Sequence, residues 1–174
     1  DIPERLPILT LRSSVLFPGA VTPVTIGRDK SIRLIKAMES ENRLFGAILQ
    51  RDASVEDPAE EDLYRVGTVA RLLKVLEMPN GNLTAILHGV EKFEVVEYTE
   101  KEPFFEARIV PLSDKPHTAR DNAKFQALIE SIKEIAINII NLSPGIPNET
   151  IFAIKNLDSD RGMINFVSSN IDFD

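Results

Sequence analysis

The chain has 174 residues, 43% of them apolar and 27% charged, with no cysteine and a formal net charge of −7 at pH 7. That balance supports a packed core in one domain or two small ones, and excludes a disordered chain. The missing cysteines exclude disulfides, thiolate metal ligands and cysteine nucleophiles.

No apolar run approaches the roughly 20 residues of a membrane span, since Ile135–Ile137 and Ile139–Ile140 are separated by Asn138. Asp1, Glu4 and Arg5 stand where a secretory leader would turn apolar, so a cytoplasmic protein is expected. An acidic domain repels phosphate backbones unless its cations gather on one face. Here only Arg28, Lys30, Arg33 and Lys36 crowd together, on one short helix, so nucleic acid is not an expected partner.

Leu6–Leu11 (LPILTL) is a short apolar run that reads as a strand, and Val15–Gly19 (VLFPG) as a turn. Thr22–Ile26 alternates, with Val24 and Ile26 on one face and Pro23 and Thr25 on the other, as in a half-buried strand. Asp29 is the expected N-cap of a helix over Lys30–Ser40. Leu44–Gln50 returns to strand character, Asp52–Asp62 is an acidic loop, and Val66–Glu77 is a strand. Pro79-Asn80-Gly81 signals a tight turn into Leu83–Val90, and Lys92–Tyr98 and Phe104–Leu112 are further strands. Many short strands with one early helix predict a small, partly closed β-barrel.

The period changes after Lys115-Pro116. From Ala119 to Leu142 the residues Phe125, Leu128, Ile132, Ile135, Ile139 and Leu142 step by three and four, the spacing of a helical seam. It reads as the core of an intramolecular bundle, the alternative being a surface for subunit contact. Ser143-Pro144-Gly145 stops it. A second helix is expected near Pro147 and a third after Asp158-Ser159-Asp160, and no stop signal follows before Asp174, so the helical part is expected to be truncated.

The residue inventory offers no catalytic constellation. Gly27-Arg28-Asp29-Lys30-Ser31 echoes a phosphate loop, but no glycine precedes a lysine. His88 and His117 are the only histidines, and neither has a second at helical spacing. Glu56, Asp57, Glu60, Glu61 and Asp62 lack the order of a calcium loop, and no serine sits in a G-x-S-x-G elbow. No catalytic, cofactor or metal residue is therefore expected.

Leu6-Pro7-Ile8-Leu9-Thr10-Leu11-Arg12, Val15-Leu16-Phe17-Pro18-Gly19 and Pro23-Val24-Thr25-Ile26-Gly27-Arg28-Asp29-Lys30-Ser31 together resemble the amino-terminal domain of Lon-type ATP-dependent proteases. The resemblance continues through Asp62–Ala70, Met78–Gly81 and His88–Phe93, with Lys92 for the family's arginine. Ala20 stands where Met, and Thr10 where Pro, is common. It implies an α+β fold, with a PUA-like β pseudobarrel over residues 1–116 carrying one inserted helix, followed by an α-helical bundle over 117–174. It also implies a non-catalytic domain that engages unfolded, damaged or tagged polypeptides and helps assemble a homohexamer. The AAA+ ATPase and Ser–Lys protease that follow in the family would use ATP and Mg, and this segment would hold no cofactor. A free-standing protein with the same domain is one alternative. An RNA-binding pseudobarrel is another, which the acidic balance opposes.

Five residues are candidate polypeptide contacts: Leu11, Phe17, Pro18, Pro23 and Ile86. Pro23 alternates outward and suits a strand edge, where its missing N–H breaks no ladder bond. Ile86 shares a mostly polar face with Thr84 and His88, and Leu11 closes the first strand beside Phe17-Pro18. Together they would form an exposed apolar patch.

Overall fold

The computed structural model describes residues 2–112, 123–142, 162–165 and 168. The chain divides into two compact units, Asp1–Ser113 and Asp114–Asp174. Among the described residues strands dominate the first and helix the second, an α+β composition.

β1 (Arg5–Leu11) buries Leu6, Ile8, Leu9 and Leu11. Its apolar run is continuous because both of its faces are covered. It lies between β3 (Phe45–Leu49), which pairs with it in parallel from Ile8↔Gly46 to Leu11↔Leu49, and β6 (Phe105–Pro111), antiparallel from Arg5↔Arg108 to Ile8↔Phe105. A parallel pair needs a crossover. Here it consists of β2 (Val21–Ile26) and α1 (Asp29–Glu41).

α1 turns Leu34, Ile35 and Met38 into a core shared with Leu9, Leu16, Ile26, Phe45 and Leu87. It ends on Asn42, whose left-handed φ of 51° lets its N–H reach the Met38 carbonyl, a residue type that tolerates this region. The expected N-cap is shifted by one residue. Arg28, still extended from β2, is the cap, without a side-chain capping bond, and Asp29 is the first helical residue, where its charge still favours the helix.

β4 (Val66–Glu77) and β5 (Leu83–Glu100) form the expected hairpin. The turn is held by Gly81 N–H on the Met78 carbonyl at 3.0 Å, with Gly81 at φ 83°. The two strands expected over Leu83–Val90 and Lys92–Tyr98 are a single strand of 18 residues. A register shift in β4 between Thr68 and Ala70, opposite Lys92 and Gly89, lets β5 bend without ending, as β-bulges do. A second core gathers Leu6, Ile8, Ile48, Val69, Phe93, Val95 and Ile109.

The sheet runs β2-β5-β4-β3-β1-β6, and β5 also pairs with β6, which joins its two sides. β2, in contrast, pairs with β5 alone among the described strands.

In the second unit α2 (Ala123–Leu142) covers the expected seam, but most of that seam is not core. Leu128, Ile135, Ile139 and Leu142 are exposed, and Ile132 is half-buried. Among the described side chains of α2, Ile129 is the fully buried one, one position off the stripe. Periodicity locates an apolar stripe without saying what covers it. The expected helix near Pro147 lies outside the described residues, as do His117 and the 113–116 linker; of the third helix, 162–165 is described and is helical.

Ile129→Ala removes buried methylenes and is expected to cost ~2–5 kcal/mol, against less than about 0.5 kcal/mol for Ile135→Ala. Urea midpoints of the two variants check this, and equal losses would place the seam in the core after all.

Candidate functional site

The segment before β2 is built around a tight turn. Pro18 and Gly19 occupy its centre, Gly19 has φ 79°, and Ala20 N–H donates to the Phe17 carbonyl at 3.1 Å. Proline followed by a left-handed glycine is the type II pattern. Neighbouring strands pin the turn: Gly19 N–H donates to the Gly89 carbonyl at 2.8 Å, and Gly89 N–H to the Ala20 carbonyl at 2.9 Å. The buried Thr68 hydroxyl donates to the Leu16 carbonyl at 2.6 Å. A Cβ at position 89 would overlap the Phe17 carbonyl oxygen, so glycine there lets the turn lie directly on β5.

The structure places four of the five candidate contacts in two groups. Phe17 and Pro18 line a small pocket of about 140 Å³ with Val15 and Val66, both nearly half exposed. Pro23 and Ile86 are cross-strand partners on β2 and β5. Pro23 is exposed and Ile86 half-buried, facing away from Val24 and Ile26, which enter the core. Leu11 requires a correction, because it is only 2% exposed and belongs to the α1 core. The terminal position of a strand suggested exposure, but β3 and the polar Gln50 continue alongside it, with Gln50 N–H on the Leu11 carbonyl at 2.9 Å. Leu11 still contributes to the walls of both the small pocket and a larger cleft.

That larger cleft, about 550 Å³, lies between Thr10–Ser14 and Pro23–Gly27, with Arg28, Ser31, Glu56 and Asn82 completing the wall. Its volume is within the roughly 300–1,000 Å³ of ligand sites. Arg28 donates to Thr10 Oγ1 at 3.3 Å, to Gln50 Oε1, and to the Val55 carbonyl at 3.3 Å. All three acceptors are neutral. Burial lowers the Arg28 pKa and the Arg12 charge adds to this, opposed by Glu56 and Asp57. Arg12 makes a two-pronged pair with Glu56 at 3.1 and 2.8 Å, and its hydrogen bonds hold the exposed Glu56 carboxyl below its ordinary range. Gln50 locks the acidic loop by donating to the Asp52 and Val55 carbonyls at 2.6 and 2.9 Å. The phosphate-loop echo Gly27–Ser31 is thus a strand end, a helix cap and a first turn.

Sequence reading missed a second cleft, of about 540 Å³, where Arg51, Leu63, Tyr64, Arg65, Val95 and Tyr98 meet. Arg51 stacks over the Tyr64 ring at 4.8 Å. Among the described residues the buried Tyr98 hydroxyl has no hydrogen-bond partner, while its ring meets Phe105 edge-on at 5.4 Å. Only the strand alternation that carries Tyr98 inward could have signalled it. Among the described residues no cluster of three or more His, Asp or Glu could hold a metal. No helix there is long and apolar enough to cross a membrane.

Comparison with known proteins decides the family. The model described as the ATP-dependent protease La (LON) substrate-binding domain matches residues 5–174. The chain belongs to the Lon substrate-binding domain family. Lon protease of Flavobacterium johnsoniae is 47% identical over 171 residues, covering 98% of this chain and 21% of that protein. Lon protease of Cytophaga hutchinsonii is 40% identical, with the same coverage of 98% and 21%. This Lon-family chain therefore spans about a fifth of the length of these curated relatives. The N-terminal domain of a Mycobacterium avium complex Lon protease superposes with a TM-score of 0.71 over 95% of this chain and 82% of that one, at 15% identity. At that identity the likeness shows a shared fold. The recognised signature over Leu6–Ser31 thus pointed to the right family.

Burial pushes the Tyr98 pKa from 10.0 up to about 12, with Glu60 adding and Arg65 opposing. A phenol whose folded pKa is raised keeps its full contribution below the unfolded pKa and loses it as pH rises through the folded one. The urea midpoint is therefore expected to fall between pH 10 and about 12. Tyr98→Phe should flatten part of that fall, and an unchanged slope would mean the hydroxyl is solvated.

Proposed function

We propose that this chain is the non-catalytic, polypeptide-recognising part of a longer ATP-dependent protease, and that it binds unfolded or damaged proteins through an apolar surface on its strand-rich unit. The observation that carries this reading is the pairing of exposed Pro23 with Ile86 on the outward face of β2 and β5. Phe17, Pro18 and Val15 supply further apolar surface beside the β2 entry turn. Leu11 acts from behind as a packing residue. Unfolded chains expose apolar side chains that native proteins bury, so a sequence-tolerant apolar surface selects them. The kinship with Lon proteases and the family's description as a substrate-binding domain support the same reading.

On this reading the strand-rich unit is a PUA-like pseudobarrel, and the residues from 117 onward form a helical bundle. ATP and Mg serve the parent protein's motor, which works as a homohexamer in the cytoplasm.

Two measurements test it. Anisotropy titration of a permanently unfolded, labelled protein should show binding several-fold weaker for Pro23→Ser, Ile86→Ser and Phe17→Ser chains that keep the wild-type urea midpoint; unchanged affinity in all three would remove the surface. Leu11→Ser, in contrast, should destabilise the fold by ~2–5 kcal/mol as a buried truncation that adds a hydroxyl. The 174-residue chain is also expected to hydrolyse neither ATP nor casein, and turnover by a preparation free of full-length protease would contradict the non-catalytic assignment.

A further inference from the structure

β2 is an edge strand with a defined open side. Gly89 N–H donates to the Ala20 carbonyl, and the register continues Val21↔His88 through Ile26↔Leu83. In an antiparallel pair, residues directed at the partner alternate with residues directed away from it. Thr22, Val24 and Ile26 therefore aim their main-chain groups at β5, and Val21, Pro23 and Thr25 aim theirs at the opposite edge. Pro23 fits this parity, since a residue without N–H loses nothing on the outward side. Among the described residues no main-chain bond reaches Val21 or Thr25 from that edge, and Val21, Pro23 and Thr25 are all exposed.

The open edge borders the large cleft. Pro23–Gly27 form one wall, and Thr10–Ser14, the end of β1 and the residues after it, form the other. β1 pairs with β6 only through Ile8, so β2 and the end of β1 are left without a described strand between them. Charge adds a preference. Arg28, at the inner end of the cleft, is half-buried and satisfied only by neutral acceptors, with no ion pair among the described residues. Arg12 stands on the rim beside Glu56. A partly desolvated cation with no directly bonded carboxylate, whose desolvation Glu56 and Asp57 offset only in part, favours an anionic group on whatever occupies the cleft.

We infer that the edge of β2 is a strand-addition site, where an extended polypeptide segment carrying an acidic side chain pairs its main chain with Val21, Pro23 and Thr25 and brings the carboxylate to Arg28. The inference rests on the polypeptide-binding reading above and deepens it. Main-chain pairing supplies affinity that does not depend on sequence, and the outward Pro23–Ile86 face adds apolar contact. The six residues of β2 span roughly 20 Å at the rise of an extended strand. A short unfolded segment is enough to fill it.

The test uses the 174-residue chain and a labelled, unstructured peptide of about ten alternating Val and Thr residues with one central Asp, long enough to cover the strand. Two further versions carry N-methyl groups at alternate residues in opposite phases. An extended strand turns alternate N–H groups to opposite edges, so methyls in one phase block pairing with β2 and methyls in the other face away. Anisotropy should show one phase binding at least about tenfold more weakly and the other within about twofold of the parent peptide, the scale of two or more lost hydrogen bonds. Thr25→Pro removes an outward N–H without touching the ladder to β5, and should weaken the parent peptide while leaving circular dichroism and the urea midpoint unchanged. Asp→Asn in the peptide should weaken binding in low salt.

Equal affinity for the two methylation phases overturns strand addition while leaving polypeptide binding in place. Absence of binding by the parent peptide overturns both. A concentration-dependent dimer abolished by Thr25→Pro, with no peptide effect, would assign the edge to a second copy of the chain and overturn the inference.

Discussion

The strand-rich unit depends on one strand being long enough to hydrogen-bond three others. β5 runs from Leu83 to Glu100. Its whole first half and the start of its second half pair with β4, from Leu83↔Glu77 to Glu94↔Val66. Along its other side it takes β2 over Leu83–His88 and then β6 over Phe93–Glu100. Because β6 also pairs with β1, that handover closes a ring of strands. Residues near the handover carry the tightest packing: Gly89 receives the Phe17–Ala20 turn, and Phe93 is fully buried against the approach of Gly46 and Gly67. At this change of partners Gly89 makes room for the incoming turn, and the opposite strand absorbs the twist. The shift between Thr68 and Ala70 does the latter.

The open cleft follows from the same arrangement. β2 and β6 share one side of β5 in tandem, yet only β6 is joined onward to β1. Among the described strands the β2 end of the ring is left with a free edge facing the end of β1. α1 enters this gap directly from β2, since only Gly27 and Arg28 separate them. That short connection is why Arg28 lies within the cleft wall. Its side chain is pulled toward Thr10, Gln50 and Val55 instead of out into water. The placement of the cation is thus a product of chain connectivity as much as of local sequence.

What the sequence disclosed follows from how much each signal depends on distant residues. Strands with clean alternation, such as Phe105–Ile109 and Val24–Ile26, were legible because one face pairs with the core wherever the partner comes from. The Pro79–Gly81 turn was legible because glycine in the left-handed region is a local requirement. The start of α1, with its cap at Arg28, instead depends on how β2 feeds the helix, and was read one residue late. The unity of β5 depends on a bulge in another strand. The burial of Leu11 depends on β3 and α1 lying over it, which no local pattern states. α2 shows the limit most clearly: a regular seam at Leu128, Ile135 and Ile139 predicts a face, while the core of that unit selects Ile129. The candidate surface was half legible, with Pro23 and Ile86 placed together and Leu11 misplaced. The hydrogen-bond partners of Arg28, namely Thr10, Gln50 and Val55, lie 18 or more positions away and gave no signal, and Tyr98 was signalled by strand alternation alone.

The proline in β2 bears on how an open edge can exist in a chain that must not aggregate. Exposed edges invite pairing between copies, and proteins blunt them with prolines, charges or short strands. Pro23 stands at the middle of the outward set Val21, Pro23 and Thr25, so the edge offers acceptors throughout but lacks a donor at its centre. Two copies meeting edge to edge would each bring the same gap. A flexible segment lacks that handicap: its full set of N–H groups could use the acceptors, and an acidic side chain on it would meet Arg28. The same residue therefore weakens self-pairing more than it weakens pairing with an unfolded chain. This asymmetry separates a docking edge from an aggregation edge, and it resides in the placement of one side chain on a strand whose parity is set by its partner β5.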